Sequence, residues 1–483
     1  MIGYRQNKKS RKVCCLYTVT ILKPQQTITL TYEKAVMASR VLEDAGITHP
    51  HPCGGRGVCG KCRIRLNGND VLACRTQIEN DSTIDYTSNL PGLQGITEGF
   101  FASFEKNPLL ASGYGAAIDI GTTTIAGYVY KFPTCERVYS ACIANPQSAF
   151  GADVISRIEH FGKGAGSQLA SAVRDAILSL TKDYPVETCV ITGNTAMLHL
   201  LTERDPSAMA VAPYHAEHLF GEWVETTYLM PCISAYVGAD VTAAMLASGI
   251  MDDECAVLLD IGTNGEMVLK HGDTLLCCAT AAGPCFEGAG ISCGTPAIPG
   301  AISKVFVENG EAAYSCVDDR APVGLCGTGL VDSIAVLLEL GLLDETGYLE
   351  DDFRFGDSGV VLTPEDVRQF QLAKSAIRSG LDTLLHHAGI SCSDVKKLYI
   401  AGGFGSFLNI SSAVRVGLIP SELSDKAIAI GNGAGAGASM VLQSRNCLEE
   451  ARGLAERASA VALTENPYFA QRYMENMMFP ESI

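Results

Sequence analysis

The segment from Ala117 to Thr124 reads AIDIGTTT, and this segment decides the fold. A related segment, LDIGTNGE, follows at Leu259 to Glu266. In both copies an apolar run leads into Asp-Ile-Gly-Thr, and a second apolar run follows, at 125–130 and at 267–269. Each copy therefore predicts two strands joined by a tight polar turn. One such turn is a weak signal, but two in matched context predict two lobes of the same fold that face a cleft.

Both turns carry the residue types that suit phosphate binding. Small residues let backbone N–H groups approach a phosphate, hydroxyls add donors, and an aspartate can hold Mg²⁺ through water. We therefore predict that Asp119 and Asp260 are catalytic carboxylates. The predicted nucleotide-binding residues of the two turns are Gly121, Thr122, Thr123, Thr124, Gly262, Thr263, Asn264 and Gly265.

Asp240 opens a predicted helix that runs through Ala247, and it allows two interpretations. It is either an N-terminal cap or a third catalytic residue, a base that activates water.

Two glycine-rich segments each follow an apolar strand. They read GGFGSF at 402–407 and IGNGAGAG at 430–437. Glycines after a strand allow close approach of a nucleotide's sugar and base, and the alternative is tight packing between helix and strand. The predicted nucleotide-binding residues here are Gly402, Gly403, Gly405, Ser406 and Gly433.

Upstream, four cysteines form a second pattern. Cys53, Cys59, Cys62 and Cys74 have the spacing C-x5-C-x2-C-x11-C, with glycines at 54, 55, 57 and 60. Four thiolates are the number that an iron–sulfur cluster needs, and the spacing differs by one residue from the plant-type C-x4-C-x2-C run. A zinc loop is the alternative, but zinc usually uses two close cysteine pairs, and only Cys59 and Cys62 form one. The four cysteines are therefore predicted to ligate one [2Fe–2S] cluster.

The segments around these cysteines predict the rest of a small domain. Alternating residues at 15–21 and 28–32 indicate a hairpin, an apolar stripe at 35–45 indicates a helix that stops at Gly46, and 63–66 and 71–73 indicate short strands. This order resembles a plant-type ferredoxin, a β-grasp fold. We place this domain at 1–88, and a linker that contains Phe100, Phe101 and Phe104 at 89–112.

Composition narrows the function classes. The chain has 483 residues, with 47% hydrophobic and 18% charged, which is typical of a folded protein with a large core. The net charge of −17 argues against nucleic acid. No uninterrupted apolar run approaches about 18 residues, and we find no signal peptide, so we expect a soluble, cytoplasmic protein without a membrane partner. The 19 cysteines suit a reducing, anaerobic cell.

A loop after the second hairpin carries a further candidate. Residues 283–296 read GPCFEGAGISCGTP, a density of small residues typical of a functional loop. Ser292 is the candidate side chain within it. The alternative is that the loop only packs against its lobe.

Taken together, these segments resemble known proteins. Asp119–Thr124, Asp260–Gly265 and Gly402–Phe407 resemble the two phosphate loops and the adenosine loop of the actin, Hsp70 and sugar-kinase ATPase fold. With a ferredoxin-type domain ahead of it, the chain resembles the ATP-dependent reductive activators of corrinoid proteins. The further segments that carry this resemblance are Gly193–Leu201, Gly238–Thr242, Gly283–Pro296, Val323–Asp332 and Gly402–Asn409.

The resemblance implies a fold, an activity and partners. The fold is α+β: a β-grasp ferredoxin domain, then a two-lobed α/β actin-like ATPase at 113–483, with lobes at about 113–255 and 256–483. The activity is one-electron reduction of Co(II) corrinoid to Co(I) in a methyltransferase system, coupled to ATP hydrolysis. The cofactors are a [2Fe–2S] cluster, ATP and Mg²⁺. The partners are a corrinoid protein and an upstream electron donor, and Ser292 is the residue expected to face the corrinoid.

The chain differs from the family that it resembles at one point. Longer members carry a middle region between linker and ATPase that supports dimerisation, whereas here only residues 89–112 separate the two predicted domains. We therefore expect no middle region, and a homodimer stays open.

Three other functions remain as alternatives. A small-molecule kinase of the same fold would not need an iron–sulfur domain. A nucleotide-switched electron carrier would bind ATP without hydrolysing it. An activator of another low-potential enzyme, such as a 2-hydroxyacyl-CoA dehydratase, is a nearer relative, but that group lacks the N-terminal ferredoxin domain.

Overall fold

A computed structural model describes residues 16–23, 26–45, 47, 62–85 and 98–481. The chain divides into two compact units, residues 1–91 and 92–483.

The smaller unit is built on a mixed sheet. Among its described residues the strand order is β2-β1-β7-β4-β5, with β1 and β2 antiparallel and β1 and β7 parallel. Its elements are β1 (Tyr17–Lys23), β2 (Gln26–Tyr32), β3 (Val36–Met37), α1 (Ala38–Asp44), β4 (Arg63–Leu66), β5 (Asn69–Leu72), β6 (Gln77–Ile78) and β7 (Ser82–Asp85).

The pattern of buried residues in this unit explains why its strands and helix form. Val19 and Ile21 on β1 alternate with more exposed neighbours and are fully buried, as are Val41 and Leu42 on α1. The predicted hairpin and helix are confirmed. The helix begins later than expected because residues 36–37 form β3, which pairs with β6.

The first part of the larger unit forms one sheet with helices on it. The sheet order is β10-β9-β8-β11-β13-β12. Its elements are β8 (Gly113–Ile120), β9 (Thr124–Phe132), β10 (Glu136–Ala144), α2 (Val154–His160), α3 (Gly166–Thr181), β11 (Val186–Gly193), α4 (Thr195–Thr202), β12 (Glu222–Val224), β13 (Thr227–Leu229) and α5 (Ala239–Ser248).

The second part forms a sheet with order β23-β22-β14-β15-β16-β24 and a smaller one with order β18-β17-β19. Its strands are β14 (Cys255–Ile261), β15 (Gly265–His271), β16 (Thr274–Thr280), β17 (Ala301–Glu308), β18 (Glu311–Cys316), β19 (Gly324–Leu325), β20 (Phe353–Arg354), β21 (Val361–Leu362), β22 (Lys397–Ala401), β23 (Ala427–Gly431) and β24 (Ser459–Ala460). Its helices are α6 (Gly327–Glu339), α7 (Pro364–Ala388), α8 (Gly402–Phe407), α9 (Ile410–Arg415), α10 (Gly433–Gln443), α11 (Arg445–Arg457) and α12 (Pro467–Glu475).

The two large sheets repeat one arrangement. In each, the predicted hairpin is present, a third antiparallel strand follows it, and a parallel strand lies on its other side. The matching runs are β10-β9-β8-β11 and β16-β15-β14-β22. The duplication predicted from the two Asp-Ile-Gly-Thr segments is therefore confirmed, and the fold is a ferredoxin-like unit followed by a two-lobed actin-like domain.

Helix ends follow local chemistry. Thr363 caps α7 by accepting a hydrogen bond from the backbone N–H of Asp366, and the Asp366 carboxylate accepts one from the backbone N–H of Thr363, a capping box. Helix α6 ends at Glu339, because Gly341 follows with a φ of +67° and takes the chain out of the helical region.

Helix α10 joins the two halves of the larger unit. It follows the second sheet in sequence, yet its residues Ala436, Ala438 and Val441 belong to the core of the first sheet. It packs on α5 so closely that a Cβ at Gly437 would lie 2.0 Å from the carbonyl oxygen of Ala243. The core around the first sheet therefore includes residues from near the end of the chain.

The described part of the predicted linker lies along the larger unit. The backbone N–H of Phe100 donates to Ile430 O at 2.8 Å, and that of Ala102 donates to Ala247 O at 2.8 Å. Phe104 packs against the first core, whereas Phe100 and Phe101 stay 44% and 36% exposed.

Among the described helices, none combines the length and the apolar composition that crossing a membrane requires.

We predict that Gly437→Ala destabilises the larger unit by about 1–3 kcal/mol, because the added methyl group forces α5 and α10 apart. The measurement is thermal unfolding. Gly453→Ala is the matched control, since Gly453 also lies inside a helix but has no atom within 4 Å of the added Cβ. The control should be neutral or stabilising by up to about 1 kcal/mol. Equal melting temperatures for the two variants would show that the close approach is unimportant.

Candidate functional site

The two hairpin aspartates occupy equivalent places. Asp119 is next to last on β8, and Asp260 is next to last on β14, each just before its turn. Burial raises the pKa of the Asp119 carboxyl to about 7, with Asp260 adding to the rise and a hydrogen bond from Asn432 opposing it. Burial, reinforced by Glu287, raises the pKa of Asp260 to about 6. The two carboxylates therefore share one cleft and feel each other's charge.

Asp240 joins them from the first turn of α5. Gly238 is the N-cap of that helix, so the cap interpretation of Asp240 is wrong. Burial raises the pKa of Asp240 to about 7, and Asp260 and Asp119 add to the rise. The structure thus brings all three predicted catalytic carboxylates together.

Glu266 is a fourth carboxylate of the cleft, and sequence reasoning gave it no role. It lies on β15, directly after the second turn, and burial followed by Asp240 and Asp260 holds its pKa well above the ordinary range. The signal was present, because Glu266 ends the LDIGTNGE segment. Mutual repulsion at this depth favours a cation, and the donor set of carboxylate oxygens suits Mg²⁺. Within the described residues, no three acidic, His or Cys side chains converge as direct metal ligands would.

The two turns present hydroxyls to one acceptor. Thr123 donates to Glu287 Oε2 at 2.8 Å, and Thr263 donates to Glu287 Oε1 at 2.9 Å. Asn194 Nδ2 donates to the Thr122 hydroxyl at 3.1 Å. Sequence reasoning missed Glu287 because its partners are distant in the chain.

Asn432 orders the cleft from the N-terminus of α10. Its Oδ1 accepts from the backbone N–H of Gly435 at 2.7 Å, which caps the helix, and its Nδ2 donates to Asp119 Oδ2 at 2.9 Å. This residue was also missed, although it lies within the quoted 430–437 segment.

The predicted glycines divide into two groups. Gly402 has a φ of +85°, and a Cβ there would lie 2.9 Å from Asp260 Oδ1, so this glycine borders the cleft. Gly405 and Gly433 instead meet Ile400 and Ala244 at 2.5 Å and 3.1 Å, so the packing alternative accounts for them. Ser406 donates its hydroxyl to Gly402 O at 3.3 Å.

Arg157 lies behind the first turn and is fully buried. Its guanidinium donates to the carbonyl oxygens of Thr122 at 2.6 Å and Gly151 at 3.1 Å, and also contacts Gln147 Oε1 and Met197 Sδ. Burial lowers the pKa of Arg157 to about 10, which keeps the group charged at neutral pH. A fixed positive charge thus supports the turn that is predicted to bind phosphate.

Ser292 is exposed, and Asp366 of α7 holds it. Asp366 Oδ1 accepts from the Ser292 backbone N–H at 2.7 Å, and its Oδ2 accepts from the Ser292 hydroxyl at 2.5 Å. The loop is thereby anchored to the N-terminus of the long helix.

The cysteine site is described only in part. Cys62 and Cys74 are buried, and their sulfurs lie 3.1 Å apart, so these two predicted ligands face each other. Cys53 and Cys59 lie outside the described residues.

Comparisons with known proteins define the class. Residues 22–86 match the 2Fe-2S iron-sulfur cluster binding domain, residues 114–253 match the RACo middle region, and residues 254–483 match the C-terminal domain of RACo, the ASKHA domain. The chain is therefore an iron–sulfur protein joined to an ASKHA-type ATPase, with a [2Fe–2S] cluster, ATP and Mg²⁺ as its cofactors.

Relatives define the family. The chain is 33% identical over 435 residues to the corrinoid activation enzyme RamQ of Eubacterium limosum, covering 80% of this chain and 73% of that protein. It is 27% identical over 398 residues to the Co(II) methylated amine-specific corrinoid protein reductase of Methanosarcina barkeri, covering 72% and 73%. A solved structure of a reductive activator for a corrinoid, iron-sulfur protein matches with a TM-score of 0.70 and 27% identity, over 96% of this chain and 98% of that chain. The chain belongs to the family of reductive activators of corrinoid proteins.

The expectation about the middle region is wrong. Residues 114–253 match that region, so it is present, and it is the part that the sequence assigned to the first ATPase lobe. The error arose because the region carries its own Asp-Ile-Gly-Thr hairpin and sheet, β8–β13, and therefore has the pattern of an ATPase lobe.

We predict that Arg157→Lys destabilises the protein by about 2–4 kcal/mol, because an ammonium cannot reach the separate carbonyls that the guanidinium fork serves. Nucleotide affinity should fall as well, since the first turn loses its support. Thermal unfolding and calorimetric titration measure the two effects. Arg174→Lys is the control: Arg174 pairs with Glu203 at 2.9 Å while 51% exposed, and we expect a change below about 0.5 kcal/mol. An Arg157→Lys variant as stable as this control would contradict the assignment.

Proposed function

We propose that this protein reduces the Co(II) corrinoid of a partner protein in a methyltransferase system to Co(I), one electron at a time, at the expense of ATP. The observation that carries the proposal is the combination in one chain of a cluster-binding ferredoxin domain and a two-hairpin ATPase cleft. The names of its relatives support this reading, since they are an activation enzyme and a reductase for corrinoid proteins.

In this proposal Cys53, Cys59, Cys62 and Cys74 hold the cluster, which supplies one electron at a potential of about −400 mV. The buried sulfur pair of Cys62 and Cys74 supports it. Driving the electron uphill by about 200 mV costs about 4.6 kcal/mol. That need explains why an ATPase accompanies a ferredoxin domain.

The chain's own residues would handle ATP as follows. The turns at 121–124 and 262–265 would bind the phosphates, and Asp119 and Asp260 would hold Mg²⁺ through water. Gly402, Gly403 and Ser406 would lie at the nucleoside. Asp240 takes the proton of the attacking water. Its pKa of about 7 suits that role, because a general base works best when its pKa lies near the operating pH.

The loop at 283–296 is proposed to meet the corrinoid, with Ser292 at the metal face. A flat macrocycle needs a surface without bulky side chains, and Ser292 is exposed there. The Ser292 hydroxyl donates its hydrogen bond to Asp366. The lone pairs of the hydroxyl oxygen are therefore free to act as a weak ligand.

The remaining partners are an upstream electron donor and a second copy of the chain, in a cytoplasmic setting that supplies ATP and keeps thiols reduced. Exposed apolar side chains on and near the edge strand β12 support a homodimer: Leu219, Trp223 and Val224 are 41%, 44% and 42% exposed. The molar mass in solution tests it, and a value near 51.1 kDa would exclude a stable dimer.

The test of function is a cobalamin spectrum recorded with purified corrinoid protein, reductant and ATP. We predict that Co(I) forms only with hydrolysable ATP. Asp240→Asn should lower kcat for phosphate release by about 100-fold or more with little change in nucleotide affinity. Cys59→Ser should bleach the visible spectrum and abolish Co(I) formation while ATP binding persists.

Different results would favour the alternative functions. Equal Co(I) formation with a non-hydrolysable analogue indicates a nucleotide-switched carrier. Phosphoryl transfer to a sugar indicates a kinase. Activation of a 2-hydroxyacyl-CoA dehydratase in place of the corrinoid protein indicates the nearer relative.

A separate prediction concerns Ser292→Ala. The variant should slow Co(I) formation about tenfold, because a weak hydroxyl ligand no longer replaces the stronger one on Co(II), while ATP hydrolysis stays unchanged. Stopped-flow spectroscopy of the complex measures the rate. Ser303→Ala, which alters a half-buried serine outside the loop, is the control. An unchanged rate and an unchanged complex affinity for Ser292→Ala would remove the serine from the metal face.

A further inference from the structure

One carboxylate joins the two phosphate hairpins. Thr123, in the turn between β8 and β9, donates to one oxygen of Glu287, and Thr263, in the turn between β14 and β15, donates to the other. We call the contact Thr123–Glu287–Thr263 the Glu287 bridge. Because each carboxylate oxygen serves a different hairpin, the bridge fixes the distance between the two turns.

The bridge uses donors that a nucleotide phosphate needs. A threonine hydroxyl carries one proton, so Thr123 and Thr263 can each donate to Glu287 or to a phosphate, but not to both. A phosphate at the same hydroxyls also repels the carboxylate, since both are negative. Phosphate binding therefore competes directly with the bridge.

Glu287 also lies immediately before the tightly closed part of the 283–296 loop, residues 288–295. It ends the short helical turn Pro284–Glu287, and Gly288 follows with a φ of +74°. A Cβ at Gly288 would lie 2.0 Å from Thr295 O, so the two ends of the loop touch immediately after Glu287. A displacement of Glu287 must therefore move the base of the loop.

Phe286, the residue before Glu287, contacts the segment predicted to bind the adenosine. The ring of Phe286 lies 4.9 Å from that of Phe404 in α8 and 5.8 Å from that of Phe370 in α7. Phe404 belongs to the predicted adenosine loop. Two consecutive residues thus connect both parts of the nucleotide site to one loop.

We propose that the Glu287 bridge holds the first part of the 283–296 loop to the phosphate hairpins, and that a bound nucleotide phosphate displaces Glu287 and so releases that part, while Asp366 continues to hold Ser292. Glu287 is then a positioning residue through which nucleotide state reaches the surface proposed to meet the corrinoid. This inference rests on the proposed function of the cleft as the ATP site.

The first test is the affinity for MgATP, measured by calorimetry on the full chain. Glu287→Gln removes the charge and leaves one acceptor oxygen, so only one of the two threonines can still donate its proton to this side chain. The amide NH₂ can only donate to the other threonine, whose proton is then free for a phosphate. With its competitor weakened, MgATP should bind about tenfold more tightly. Glu308→Gln, an exposed position on β17 in the same half of the unit, should bind as the wild type does.

The second test is hydrogen exchange of the amides at 288–291, since the Ser292 amide stays bonded to Asp366. In the wild type, exchange should accelerate when MgATP binds. In Glu287→Gln it should already be fast without nucleotide and change little on binding.

Either of two results overturns the inference. The first is that Glu287→Gln binds MgATP with the same affinity as the wild type or more weakly. The second is that the amide exchange rates of the wild-type loop do not change when MgATP binds. Weaker binding would indicate a direct role at Mg²⁺. If the wild type binds no nucleotide, the proposed ATP site fails as well. If the wild type binds nucleotide normally and only Glu287→Gln departs from its expected result, the inference about the Glu287 bridge is wrong, but the proposed ATP site is not affected.

Discussion

The cleft depends on the close approach of α5 and α10. These helices come from distant parts of the chain and meet at Gly437 and Ala243, where a side chain on the glycine has no room. Helix α5 carries Asp240 in its first turn, and Asn432 at the start of α10 reaches Asp119. One backbone contact thus places the proposed base beside the carboxylate of the first phosphate hairpin. The pKa values of the cleft carboxyls are raised first by their burial and then by the charges of neighbouring carboxylates.

Local sequence patterns predicted the strands and turns well, but they could not predict contacts between residues that are distant in the chain. Alternation and turn chemistry are enough for the Asp-Ile-Gly-Thr hairpins, because each strand pair is contiguous in sequence. The roles of Glu287 and Arg157 depend on partners many residues away, such as Thr123 and Thr122, and no local pattern announces them. The middle region was missed for the opposite reason: its local pattern matches an ATPase lobe so well that nothing marked it as a separate region.

The arrangement explains how ATP could control an electron transfer that the cluster alone cannot complete. An energy input shifts an equilibrium only if the two nucleotide states differ in affinity for the partner. Hydrolysis in the cleft changes the charge between the two hairpins, and Glu287 connects those hairpins to the loop that carries the exposed Ser292. In the proposed account, this connection is the route by which the free energy of phosphate chemistry would reach the surface where cobalt is reduced.

The most direct measurement is a redox titration of this protein with its corrinoid partner, with the cluster held at a known potential. With hydrolysable ATP, the ratio of Co(I) to Co(II) should exceed the ratio that equilibrium with the cluster allows. A driving force of about 200 mV corresponds to more than a thousandfold excess. A ratio that stays at the equilibrium value with and without ATP would contradict the account, because ATP would then do no work on the electron.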